Sequence, residues 1–417
     1  MTSPSLEVRN ISCLTTPLGT TPRRGRDQGE ILRLREAALR AENGRLAFVG
    51  QEKEYARRYA GRPAETSIDA GGRTVLPGFV DAHTHPVWMG DRADEVGRRL
   101  SGESYAAIAG SGGGILSTVR ATRAATDSEL SSAVSRRLTR MLSCGTTTVE
   151  AKSGYGLTVE EEIRALRILR SLPEAKHPRI VPTLLAAHEI PPEYGGRRAE
   201  WVSAIIEEIL PRVAAERLAL FCDVFCDEGV FDVQEARSIL EAARRCGLGL
   251  RIHADELARS GGARLAAELE AASADHLLCI GPEEIKLLAR SGTVATLLPG
   301  TAWWLRKRPA PARALIEAGV AVAVASDFNP GTCLTESLAA VAPHACLDSG
   351  LTVEETLTGL TLNAAASLGL ARDVGSIEVG KRADLVILDA PDDRHLVYHW
   401  GVNLVVSVVR DGRPVLP

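Results

Sequence analysis

The chain has 417 residues, more than one ordinary domain needs, and a single barrel of roughly 250 residues with a smaller module beside it would use the length. Its 49 basic and 53 acidic residues nearly cancel, and no Lys/Arg run is long enough for a phosphate-binding tract, so neither nucleic acid nor an anionic membrane surface is expected as a partner. The opening MTSPSLEVRNISCLTTPLG lacks a basic start with an apolar signal core, and no uncharged apolar run reaches about 18 residues, so the expectation is a soluble, cytoplasmic protein.

The first strand signals are SLEVRNISCL, GRLAFVGQ and ETSIDAGGRTVL, short alternating runs with Gly turns. Between them GTTPRRGRDQGE, residues 19 to 30, is polar and rich in Arg and Gly, and reads as a mobile loop. From residue 78 onward β-branched runs alternate with stretches of helical period, the pattern of parallel strands joined by crossover helices. Eight runs read as strands: GFVDAH (78–83), TTTVEAK (146–152), RIVPTLLAAH (179–188), LALFCDVFC (218–226), LGLRIH (248–253), ADHLLCI (274–280), TVATLLP (293–299) and VAVAVASD (320–327).

Helix signals lie between these runs. Asp127 precedes a ladder of Leu130, Val134, Leu138 and Met141 that ends at Gly145, and Thr158 with Glu161 makes a capping box ahead of Ile163, Leu166 and Leu169. Further helices are expected from near Asp232, Ser260, Pro282 and Pro309. The tail returns to short strands in VGSIEVGKRADLVILD and NLVVSVVRDGRPVL. The expected fold is α/β: a (β/α)8 TIM-like barrel over residues 76–368, with a small β-sandwich built from both termini, 1–75 and 369–417. No G-x-G-x-x-G opens a helix after a strand to favour a doubly wound sheet, and GSGGGI (110–115) lacks the Lys-Ser/Thr of a phosphate loop.

In such barrels the carboxyl ends of the strands form the active face. His83 and His85, two apart in extended chain, share one face there, with Thr84 turned away. His188 and Glu189 end the third run, His253, Asp255 and Glu256 the fifth; His276 lies on the sixth and Asp327 ends the eighth. Three imidazoles and a carboxylate, His83, His85, His253 and Asp327, satisfy a mononuclear site for zinc or iron. Asp327 can also accept a proton from an activated water, and Glu256 and His276, surplus to the ligand count, are candidates for moving protons. Lys152 ends the second strand and no lysine ends the fourth, which favours one ion over two. Among the eight cysteines, Cys222 and Cys226 are a poor alternative metal pair, because no second pair completes a tetrahedral site.

With these residues in place, PGFVDAHTH, the later strand-end His residues, SD and the tail GSIEVGKRADLVILD resemble the amidohydrolase superfamily over nearly the whole length. GGGILSTVRATRAA, GTTTVEAKSGYGLT, AAHEIPPEY, HADE and SDFNPGT are similar to the branch that opens an imidazolone ring in histidine degradation. That resemblance implies the same four metal ligands, a divalent Zn2+ or Fe2+ (or Fe3+), and hydrolysis of the cyclic amide of 4-imidazolone-5-propanoate to N-formimidoyl-L-glutamate. It further implies that Arg92, Tyr155 and His188 hold the substrate, that Glu256 and His276 flank the reactive carbon, that Asn329, Gly331 and Thr332 line the product side, and that the chain is a homodimer. The surroundings of Arg92 in MGDRADE depart from the family's form. On this reading the Arg92 fork meets the substrate carboxylate, and Tyr155 and neutral His188 hydrogen-bond a ring or tail oxygen.

Two other readings use the same residues. An aminohydrolase of the same superfamily would release ammonia from an uncharged heterocycle and would need no Arg92. A non-catalytic scaffold would have no use for the ligand set that this chain retains.

Overall fold

The computed structural model describes Ser5 to Leu416, apart from residue 104. Eight parallel strands follow one another in chain order: β1 (Phe79–Asp81), β2 (Thr146–Lys152), β3 (Arg179–Ala187), β4 (Phe221–Cys226), β5 (Gly249–Ala254), β6 (Ser273–His276), β7 (Val294–Leu297) and β8 (Val322–Val324). Each starts within about three residues of the run that predicts it, because strands covered on both faces are apolar throughout; all seven residues of β2 are buried. β6 stops at His276 rather than running on to residue 280, since His276 and Leu277 take left-handed backbone (φ 75° and 61°) and turn the chain.

The ring closes beyond the ends of β8 and β1. Thr84 bridges Phe328, His85 N–H donates to Phe328 O (2.9 Å) and Asp327 N–H donates to His83 O (3.1 Å). The closure that completes the barrel therefore also brings His83, His85 and Asp327 together. One turn deeper, Asp81 accepts the Ser326 N–H (3.0 Å) and hydroxyl (2.6 Å), tying β1 to the chain after β8.

Helices between the strands begin where their caps direct. Asp127–Ser143 starts at a Thr126/Glu129 capping box, and Val233–Arg245 at an Asp232/Glu235 box. Val159–Ser171 keeps only half of the expected box: Thr158 accepts the Glu161 N–H (3.2 Å), while the Glu161 carboxylate turns to Arg164 (2.7 Å). Leu130, Val134, Leu138 and Met141 pack on the barrel as their spacing requires.

The two chain ends fold together, hydrogen-bonded into one mixed sheet of eight strands. The strand Ser5–Pro17 pairs in parallel with Thr66–Asp69 through its first half and with Thr74–Pro77 through its second, and Leu385–Leu388 lies antiparallel on Thr74–Pro77. Leu6, Val8, Leu39, Val75, Leu385 and Ile387 form its core. The chain crosses to the barrel at Gly78, where a Cβ would stand 2.3 Å from Thr147 Oγ1, so only glycine passes there.

Residues 19 to 30 are pinned, contrary to the mobile loop expected from their composition. Gly25–Gly29 form a short 3-10 helix, and the buried Gln28 amide donates to Val322 O (2.9 Å) and Glu355 O (3.1 Å) and accepts the Val322 N–H (3.0 Å). A side-chain amide here supplies the partners that the start of β8 requires. No helix of the described residues is long and apolar enough to cross a membrane.

Candidate active site

His83 and His85 leave β1 with their rings on one side, while Thr84 turns its hydroxyl to Glu150 O (2.6 Å). His83 Nε2 lies 3.2 Å from His85 Nε2, and His85 Nε2 lies 3.4 Å from His253 Nε2 at the end of β5. Asp327 Oδ1 is 3.5 Å from His83 Nε2 and 3.3 Å from His85 Nε2. Ligands about 2.1 Å from a tetrahedral ion stand about 3.4 Å apart, so these four spacings are the edges of a coordination polyhedron. Burial holds His83 and His85 neutral, well below the usual imidazole range, which leaves each ring one lone pair to offer a metal ion. Three imidazoles and a carboxylate suit a divalent metal ion.

The other ring nitrogens are fixed from behind. Asp275 Oδ2 is 2.7 Å from His83 Nδ1, and Asp223 Oδ2 is 3.0 Å from His253 Nδ1. A carboxylate behind a ligating imidazole sets its tautomer and aims Nε2 at the ion. Burial works against charge on His253, but the Asp223 carboxylate outweighs it and keeps this ring above the usual range. Asp223 also accepts from Lys152 Nζ (2.8 Å), which donates as well to Glu150 Oε1 (2.8 Å), and Arg251 Nη2 sits 3.2 Å from Asp275 Oδ2. These five charged groups are wholly buried. Thr301 Oγ1 donates to Asp327 Oδ2 (2.6 Å), leaving Oδ1 towards the histidines.

Glu256 and His276 stand beside this cluster, with Glu256 Oε2 3.6 Å from His276 Nε2. Burial, and then the charge of Asp327, lift the Glu256 carboxyl to about 7, while burial lowers His276 to about 3. A carboxyl that exchanges its proton near neutrality is thereby set against a neutral imidazole. Both His276 nitrogens are buried without a hydrogen-bond partner among the described residues. Asp227 holds the turn in place by accepting the N–H groups of Glu256 (2.7 Å), Leu257 (2.8 Å) and Ala258 (3.1 Å). Asp255, another strand-end acid, is occupied by Ser260 and by the start of the helix Gly262–Glu268.

The residues expected to hold substrate lie on the same rim. The His188 ring stacks on His85 (centroids 5.2 Å apart, 20° between planes), and Tyr155 meets His188 edge-on at 5.4 Å. His188 Nδ1 is 2.9 Å from Gly154 O. A carbonyl only accepts, so Nδ1 carries the proton, and Nε2 of the neutral ring is an acceptor. Burial pushes His188 well below the usual range, so it stays neutral. With Nδ1 turned to Gly154 O, Nε2 is the free edge of the His188 ring.

Arg92 caps the helix Ala93–Leu100, and its Nε and Nη2 donate to Glu95 Oε2 (3.0 and 2.8 Å). Glu95 Oε1 accepts the Gly114 N–H (2.8 Å), so one buried carboxylate joins the arginine to the GSGGGI segment. Arg92 Nη1 would lie 2.3 Å from a Cβ on Gly331, so any side chain there would push the guanidinium from its place on Glu95. Asn329 is spent within its own loop: Nδ2 donates to Asp327 O (2.7 Å) and Thr332 Oγ1 (2.8 Å), and Oδ1 accepts from Gly331 N and Thr332 N (2.8 Å each). These bonds shape the loop that carries Gly331 and Thr332.

Asp223, Asp275, Asp227 and Glu95 escape the strand-end reading. The available signal for the first two was an acid inside an apolar strand, in FCDVFC and SADH, which must be paired. Cys222 and Cys226 are free, buried thiols, and burial pushes Cys226 up to about 12.

The model of the amidohydrolase family matches residues 74–415, and the chain belongs to that family. Within it the chain groups with the imidazolonepropionases. It is 49% identical to the imidazolonepropionase of Symbiobacterium thermophilum over 398 residues, 95% of this chain and 93% of that one. It is 47% identical to that of Porphyromonas gingivalis over 417 residues, covering 99% and 97%. Among solved structures, an adenosine deaminase from Xanthomonas campestris with bound zinc superposes with a TM-score of 0.72 at 19% identity, over 100% of this chain and 93% of that one. The Escherichia coli guanine deaminase does so with 0.72 at 14%, over 99% of each. These two share the fold.

Proposed function

We propose that the chain is a hydrolase that opens the ring of 4-imidazolone-5-propanoate at its cyclic amide C–N bond, giving N-formimidoyl-L-glutamate. The observation that carries this reading is the juxtaposition of a four-ligand cluster with a near-neutral carboxyl, Glu256, and with Arg92 on the same rim; the near full-length likeness to imidazolonepropionases supports it.

In this reading His83, His85, His253 and Asp327 hold one divalent ion, zinc or ferrous iron. When bound, it supplies a Lewis acid that makes water nucleophilic near neutral pH. Arg92 receives the propanoate carboxylate, its fork already oriented by Glu95. His188 Nε2 accepts a ring N–H, and Tyr155 closes the same side. Asp327 accepts the proton of the attacking water. Glu256, in its protonated form, delivers a proton to the ring nitrogen as the C–N bond breaks, and His276 orients that carboxyl. Asn329 keeps Gly331 and Thr332 against the product side. The same family reading carries a cytoplasmic location and a homodimer, and light scattering of the purified protein tests the dimer.

The test is an ultraviolet assay of imidazolone loss run beside an ammonia assay. Ring opening without ammonia supports the reading; ammonia release on a heterocycle, with imidazolone untouched, favours an aminohydrolase and rejects it.

A further inference from the structure

Beside the barrel mouth lies a second cleft of about 580 Å³, lined by Val96, Leu100, Trp303, Trp304 and the cations Arg99, Arg306 and Lys307, with Glu103 on its edge. Glu103 is taken by Arg98, whereas Arg306, Lys307 and the neighbouring Arg308 are exposed and make no ion pair among the described residues. Trp303 and Trp304 are 56% and 39% exposed, unusual for tryptophan outside a contact surface. The cleft is joined to the site: Arg99 stacks over the Trp304 ring and donates to Gly331 O (3.1 Å), the residue beneath Arg92.

We propose that this cleft is an encounter site that gathers a planar heterocyclic carboxylate from solution and hands it to Arg92. The three consecutive cations concentrate the anion, and the indole faces left open by Arg99 on Trp304 and by His344 on Trp303 take its flat ring. The proposal rests on the carboxylate substrate named above, and deepens that reading by assigning its path of approach.

Two measurements test it, one without turnover. In a Trp400→Phe background, iodide quenching of the exposed tryptophans is compared with quenching by neutral acrylamide at low salt. The ratio is expected to fall about threefold in Arg306→Asn/Lys307→Gln/Arg308→Gln, since an anion is enriched only by the local field. An unchanged ratio overturns the proposal, whatever the enzyme turns over. In the second, kcat/KM of the wild type for imidazolone propanoate is expected to drop about tenfold between ionic strengths of about 0.01 M and 1 M, where the Debye length shrinks from about 30 to 3 Å. The triple variant should lose that slope, and Lys53→Gln/Arg57→Gln, on the distant helix Glu52–Arg58, should keep it. A slope retained by the triple variant, or lost in the distant control, overturns the encounter site. Absence of any imidazolone turnover would instead reject the proposed function and leave the iodide result to decide this one.

Discussion

Replacing Lys152 with methionine removes one charge from the most enclosed part of the barrel and keeps much of the side-chain volume. Its ammonium sits 2.8 Å from both Glu150 Oε1 and Asp223 Oδ2, and none of the three side chains is exposed. Two attractions of about 6 kcal/mol each at an effective dielectric of about 20, less the several kcal/mol for desolvating the ions, leave a net loss of about 3–5 kcal/mol. For a chain of this size that corresponds to a fall in unfolding temperature of about 3–6 °C, read by calorimetry on metal-free protein. The double variant Lys152→Met/Glu150→Gln removes one of the stranded anions, and its amide oxygen still accepts the Thr84 N–H. It should recover about half of the loss. A single variant within about 1 kcal/mol of wild type, or a double variant worse than the single, would show that this buried triad does not hold the strands together.

Arg92→Ala should lower kcat/KM on imidazolone propanoate about 30- to 100-fold, the worth of a charged bidentate contact, while Arg92→Lys recovers little; steady-state kinetics reading wild-type values would remove its role. Asp275→Asn should weaken metal binding about 10- to 100-fold by releasing His83 Nδ1, measured by competition with a chromophoric chelator, and unchanged affinity would contradict the orienting role. Burial and the bond to Glu7 raise the Tyr55 hydroxyl from its ordinary 10 to about 12. The folded state therefore keeps this proton longer than the unfolded one, so the stabilisation is whole below pH 10 and lost between 10 and about 12. Denaturant unfolding of Tyr55→Phe across that window should decline less steeply than wild type, and equal slopes would refute the assignment.

The barrel strands were legible because each is apolar on both faces, and His83, His85, His253 and Asp327 because strand ends converge in this architecture. What lay out of reach depended on which residues become neighbours. Asp223 and Asp275 read only as acids in apolar strands until the parallel register sets Asp223 behind His253 and Asp275 behind His83. Gln28 sat in a run whose composition resembles solvent-exposed chain, yet one buried amide anchors it to β8. The tautomer of His188 was out of reach for a similar reason. Its proton position is set by the Gly154 carbonyl, 34 residues away in sequence, and no local pattern encodes that contact.

Metal analysis of the purified enzyme, paired with turnover of imidazolone propanoate before and after chelation, bears most directly on the four-ligand cluster. One bound dication per chain is expected, with activity lost on its removal and regained on its return. Full activity in protein stripped of metal, or a steady requirement for two ions per chain, would contradict it.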